Sequence, residues 1–187
     1  MTRLDTVQTI GCFHYQAPGC EGIGYRSFLV VRAEDRGKQL ADFRRQRAVC
    51  NAIDSQSGYN VLRKMVAALP DEGRFFTAVL FSGSHRQSLV ALRQNRADIA
   101  AIDCVTYALL QRHQPALLEG LAVIDHSPLT PGLPLITAAT TSAAHLALLR
   151  ESLQQLVSDA QYQNLCAAAL IGGFSAVSRD DYALLLD

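Results

Sequence analysis

Six residues, Asp54-Ser55-Gln56-Ser57-Gly58-Tyr59, join an apolar segment to an amphipathic one, and no other stretch constrains the chain as strongly. The segment before them, Ala48-Val49-Cys50-Asn51-Ala52-Ile53, reads as a strand. After them Val61, Leu62, Met65, Val66 and Leu69 recur with the spacing of one buried helix face. A strand therefore meets a helix at a turn of small hydroxyl residues and a glycine. The first N–H groups of a helix lack intrahelical partners, and the macrodipole makes that end partly positive. Small side chains let an anion approach those donors, and two hydroxyls add donors of their own. Two readings stand: Asp54 or Ser55 caps the helix, or the turn holds an oxyanion.

Composition narrows the function classes. The chain has 187 residues, 49% hydrophobic and 18% charged, with a formal net charge of zero. That is ordinary for a globular protein and long enough for one large or two small domains. Balanced charge gives no electrostatic support to nucleic-acid or membrane-surface binding. No apolar run approaches the roughly 20 residues that span a bilayer. The first residues lack the apolar core of a secretory signal, so the chain as written is expected in the cytoplasm, or in the periplasm if a leader was removed. Five cysteines, with no CxxC pair, argue against both a disulfide framework and a zinc cluster. Cys50, Cys104 and Cys166 read as small core residues, and a Cys12–Cys20 disulfide is not favoured. No metal or cofactor is expected.

In chain order, Val7 to Tyr15 reads as a strand, followed by a glycine-dense loop from Ala17 to Gly24 and a strand over Tyr25 to Val31. Leu40 to Phe43 reads as a short helix. Pro70 closes the helix after the hydroxyl turn. Phe76 to Phe81 is a strand, Ser82-Gly83-Ser84-His85 repeats the small-residue turn, and a helix follows. Asp98 to Ile102 is a strand ending at Asp103, before a helix over Val105 to Arg112. Leu121 to Ile124 and Leu135 to Ala138 are strands, separated by a turn-rich crossing with three prolines. The remainder reads as mostly helical: Ser142 caps a helix to about Val157, a second runs from Ser158-Asp159 to about Leu170, Gly172-Gly173 breaks it, and Arg179 to Leu186 is a last short helix. Strands alternating with helices predict an α/β protein with a parallel or mixed sheet.

In open α/β sheets, ligands bind beyond the carboxyl ends of the strands. Three strands here end in polar turns, at Ser55 to Gly58, at Ser82 to His85, and at Asp103. If those strands are parallel neighbours, the three turns converge. His85 and Asp103 then face one ligand from the same side; taken alone, each is more often an ordinary cap or surface residue.

These residues resemble the phosphate/phosphonate substrate-binding proteins of ABC importers. The likeness rests on Ser55-x-Ser57-Gly58, on Ser82-Gly83-Ser84-His85, and on Ala97-Asp98-Ile99-Ala100-Ala101-Ile102-Asp103. Gly24-Tyr25-Arg26-Ser27 and Pro131-Gly132-Leu133-Pro134 extend it from about Gly19 to Tyr182. The resemblance implies a periplasmic-binding-protein-like α/β fold of two lobes with mixed sheets, closing on an oxyanion between them. Residues 36–127 would be a complete lobe; 1–35 and 128–187 would be a truncated one, lacking the family's first βαβ unit. By the same resemblance Tyr25 holds the phosphonate, Ser55 and Ser57 supply donors with the Gly58 backbone, and His85 and Asp103 meet the ligand's other end. Gln56 stands where the family has a hydroxyl residue.

The function expected is binding of a small oxyanion, without turnover, in partnership with an ABC permease or as a cytoplasmic relative of such proteins. A ligand-sensing or assembly module with a vestigial cleft, and a biosynthetic enzyme of the same fold, are the alternatives. No catalytic triad spacing supports the enzyme. Apolar strands at Val7 to Tyr15 and Phe28 to Val31, left bare in a truncated lobe, predict a homodimer through that lobe.

Overall fold

The computed structural model describes residues 5–70 and 73–185. The chain divides into two units, one formed by residues 1–25 and 129–187 and the other by residues 26–128.

The first unit opens with β1 (Val7–Tyr15) and the two-residue β2 (Gly24–Tyr25). The second unit carries β3 (Ser27–Arg32), β4 (Arg47–Cys50), a π-type turn over Gln56–Asn60 that runs into α1 (Val61–Ala67), and β5 (Ala78–Phe81). It continues with α2 (His85–Arg93), β6 (Ile99–Asp103), α3 (Cys104–His113) and β7 (Leu121–His126). Its five strands lie in the order β5-β4-β6-β3-β7. β4 is parallel to both β5 and β6, whereas β3 is antiparallel to β6 and β7. The sheet is therefore mixed.

Both faces of this sheet are covered, as the apolar strands require. Successive side chains alternate between faces. Leu29, Val31, Ala48, Cys50, Ile99 and Ala101 pack with Phe43, Val61, Leu62, Phe75 and Phe76 on one side. Val30, Val49, Ala100 and Ile102 pack with Leu89, Ala91, Leu92 and Leu117 on the other. Each fully buried aliphatic side chain of this kind contributes about 1.5–3 kcal/mol relative to exposure.

Residues 26–35, expected in the truncated lobe, lie in this second unit. β3 is hydrogen-bonded on one edge to β6 and on the other to β7. The apolar run Phe28 to Val31 is thus central in a covered sheet and leaves no bare edge.

The first unit resumes with β8 (Thr130–Pro131), β9 (Leu135–Ala138), α4 (Ala143–Ser158), α5 (Gln163–Ala168) and β10 (Ile171–Ser175). β1 is the middle strand of an antiparallel β10-β1-β9 sheet, and β2 pairs with β8. Cys12, Val177 and Tyr182 form its small core. The Arg150 guanidinium on α4 donates to the carbonyls of Ile10 and Thr9 on β1. The expected helix from Ser158 to Leu170 is interrupted, with a short 3-10 turn over Ala160–Tyr162 before α5.

Gly172 and Gly173 break no helix: they sit inside β10. The helix has already ended, at a left-handed Leu170 with φ 59°. The glycines serve close approach, because a Cβ at Gly173 would fall 2.9 Å from the His14 ring and one at Gly172 2.5 Å from the Gln16 side chain. A 3-10 turn over Asp180–Leu185 ends the described chain; Leu186, the last residue of the helix expected there, lies outside the described residues.

Candidate functional site

The parallel neighbours β5, β4 and β6 bring three polar turns to one end of the second unit's sheet. The turn after β4 is a π-type turn: Asn60 N–H donates to the Ser55 carbonyl at 3.0 Å, and Val61 N–H to that of Gln56. Single π-type turns recur at functional sites. The Ser55 hydroxyl accepts from Gly58 N–H at 3.0 Å, so Ser55 is the cap of this helical segment. Gln56 and Ser57 follow as its first half-buried residues, in the positions whose N–H groups lack helical partners.

Gly58 is buried, and the reason is Asn51. A Cβ on residue 58 would lie 2.0 Å from the Asn51 Oδ1, so only glycine lets the carboxamide lie against the turn. Asn51 Oδ1 is itself enclosed and lacks a hydrogen-bond partner. Its backbone carbonyl accepts from Gly83 N–H at 2.9 Å, tying the end of β4 to the next turn. The strand expected through Ile53 ends at Cys50, and Asn51, at the end of an apolar run and before a turn, has the position of a turn asparagine.

The turn after β5 is knitted by serines. The Ser82 hydroxyl bonds the Ser88 hydroxyl at 2.7 Å and donates to the Ser84 carbonyl at 2.9 Å. Ser84 caps α2, accepting from Gln87 N–H at 3.1 Å. This places His85 at the first position of α2, with its Nε2 2.9 Å from the Ser57 hydroxyl. The ring's Nδ1 is enclosed and without a hydrogen-bond partner. Burial pushes the imidazole below its ordinary pKa, while Asp103 and the Ala101 carbonyl pull it the other way. Asp103, buried at the end of β6, accepts from Thr106 N–H at 2.6 Å and so caps α3.

Of the residues expected to form a site, Ser55, Gln56, Ser57, Gly58, His85 and Asp103 all belong to the second unit, and Ser57, His85 and Asp103 come together. Tyr25 belongs to the first unit, where its ring is buried. Among the described residues no group of three metal-ligating side chains occurs, and no helix is long and apolar enough to cross a membrane.

The mixed α/β sheet is that of periplasmic-binding-protein-like proteins, and solved structures share the fold. A Prochlorococcus marinus protein, PhnD1 in complex with methylphosphonate, is similar with a TM-score of 0.76 at 14% identity, over 94% of this chain and 69% of its own. A binding-protein component of an ABC phosphonate transporter from Pseudomonas aeruginosa has a TM-score of 0.72 at 23% identity, over 94% of this chain and 58% of its own. A Xanthomonas citri protein bound to chloride ion has a TM-score of 0.72 at 16% identity, over 97% and 68%. The chain thus spans 58% to 69% of these three lengths. No curated protein matches the sequence.

The family is given by residues 15–182, which match the ABC transporter, phosphonate, periplasmic substrate-binding proteins. The chain belongs to that family.

Proposed function

We propose that the turn from Ser55 to Gly58, with His85 and Asp103 beside it, seats a small oxyanion such as phosphate or a phosphonate. The chain is then the substrate-binding component of an ABC importer, or a relative of one, and performs no turnover. The observation that supports this most directly is the 2.9 Å contact between Ser57, at the start of a helical segment, and His85, at the start of the next. Two helix starts with hydroxyl and imidazole donors suit an anion. Ser55 holds the turn through Gly58, while Gln56 and Ser57 offer their N–H groups and Ser57 its hydroxyl. Asp103 opposes the effect of burial on His85 and accepts from a ligand amine where one is present. Tyr25 is proposed as a ligand residue from the family likeness alone. An ABC permease and a periplasmic place of work follow from the family in the same way.

Calorimetric titration with inorganic phosphate and with methylphosphonate tests this. Saturable binding is expected, and Ser57→Asp removes it by placing a carboxylate where the ligand charge sits. Unchanged affinity in that variant overturns the proposal.

For partners, we propose a second copy of this chain, docked on the first unit. The support is apolar surface there: Leu148 on α4 is 58% exposed and Leu165 on α5 66%, and no residue of α4 is fully buried.

A further inference from the structure

We propose that an anion binding at Ser57 is taken up together with one proton from solvent, which His85 receives, so that affinity falls as pH rises. This rests on the oxyanion reading above and goes beyond it.

The inference comes from the groups that face one imidazole ring. His85 Nε2 faces the Ser57 hydroxyl at 2.9 Å. Nδ1 is enclosed without a hydrogen-bond partner. From β6 the Ala101 carbonyl lies within electrostatic reach of the ring, outside hydrogen-bonding geometry. The charged group facing the ring is Asp103, also from β6. From the β4 turn the facing group is Ser57, which is neutral. On α2 itself the neighbouring Arg86 is directed to Gln114, with its Nε 3.0 Å from Oε1.

A neutral imidazole has one N–H and one acceptor nitrogen. With no anion present, the Ser57 hydroxyl proton can point at Nε2, and the neutral ring is adequately served. An anion at the turn changes this, because a hydroxyl donates preferentially to a charged oxygen. Ser57 Oγ then turns a lone pair toward Nε2, which needs a proton to keep the contact attractive. Nδ1 has no hydrogen-bond partner, so a neutral ring can present that proton by moving its single N–H across the ring, and charge decides between that tautomer and the imidazolium.

Charge favours the imidazolium. In the free protein, burial disfavours the charged ring and holds it neutral near neutral pH. A bound anion beside Ser57 adds a second negative group to Asp103 and offsets that desolvation cost. The proton balance is simple: one proton leaves solvent and bonds a ring nitrogen, and no other bond forms or breaks. Because the complex binds more protons than the free protein, linkage requires affinity to weaken with rising pH, by about tenfold per pH unit where uptake is a full proton.

The test is calorimetry of the full chain with methylphosphonate near neutral pH, in buffers of different ionisation enthalpy. Wild type and His85→Gln are compared, so that the ligand's own protonation cancels. Wild type is expected to take up close to one proton more than the variant. Equal uptake overturns the inference while leaving the oxyanion reading intact. Should His85→Gln fail to fold or bind, the nitrogen-15 shifts of the wild-type ring decide: two protonated nitrogens in the complex and one in the free protein are expected, and a neutral ring in the complex overturns the proposal. Absence of methylphosphonate and phosphate binding by wild type overturns the oxyanion reading, and this inference falls with it.

Discussion

Asp98 receives Arg47 twice, with Nε 2.9 Å from Oδ2 and Nη2 2.8 Å from Oδ1, and the Arg47 backbone N–H also donates to Oδ2 at 2.9 Å. Arg32 adds a bond to Oδ1 at 3.0 Å. One carboxylate, 6% exposed at its side chain, thus joins the start of β4 to the loop before β6 and the end of β3. The bonds from Arg47 hold this carboxyl well below the usual carboxylate range. Asp98→Ala removes the buried carboxylate that both guanidinium groups share and is expected to lower unfolding stability by about 3 kcal/mol, read from the urea midpoint. The sign for pH follows. With a depressed folded pKa, the contribution is complete above the unfolded value of about 4 and is lost as pH falls below it. A variant whose midpoint matches wild type at neutral pH contradicts this.

Gly11 on β1 is expected to be among the least replaceable glycines of the first unit. A Cβ there would lie 2.2 Å from the Phe174 ring and 2.5 Å from the Ser175 carbonyl, a side chain and a backbone of the paired strand. At Gly172 the clash is with the Gln16 side chain, which is exposed and able to swing away. Gly11→Ala should cost about 1–3 kcal/mol or more and Gly172→Ala clearly less. Thermal melts of the two variants, compared with wild type, decide the order.

Cys50 should resist alkylation while the protein is folded. It is buried under α1 at the end of β4, and burial pushes its thiol up to about 11. The thiolate is the reactive form, so at mildly alkaline pH there is little of it and no route to it. Cys20 is half exposed and should react first. Mass spectrometry after timed exposure to iodoacetamide checks this, and early modification of Cys50 refutes it.

The proposed dimer is checked by light scattering at micromolar concentration. Twice the chain mass of 20.3 kDa is expected, and Leu148→Glu with Leu165→Glu should return the monomer. A wild-type protein of single chain mass rules the dimer out.

Much of the second unit was legible in the sequence because its signals are local. The apolar run before Asp54, the hydroxyl turn and the buried spacing of Val61, Leu62 and Met65 lie within some twenty consecutive residues. The matching turns at Ser82 to His85 and at Asp103 could be read the same way. Their place at strand ends meant that they would meet if those strands were parallel neighbours, and the parallel order β5-β4-β6 makes them so. The resemblance built on those turns then anticipated the family.

What sequence could not supply is pairing between distant residues. Arg32 and Arg47 stand 66 and 51 positions from Asp98, so nothing near Asp98 announces its role. Gly172 and Gly173 look like helix breakers until β1 is laid against them, since a glycine's reason is often the neighbour it lets close. The side of the division on which β3 falls was settled by its ladders to β6 and β7, and the place of Asn51 by its approach to Gly58. Local propensity and hydrophobic period determined the elements and the chemistry at their ends. The tertiary structure alone decided which of those ends touch, because backbone hydrogen bonding and close packing act between residues that the chain itself keeps far apart.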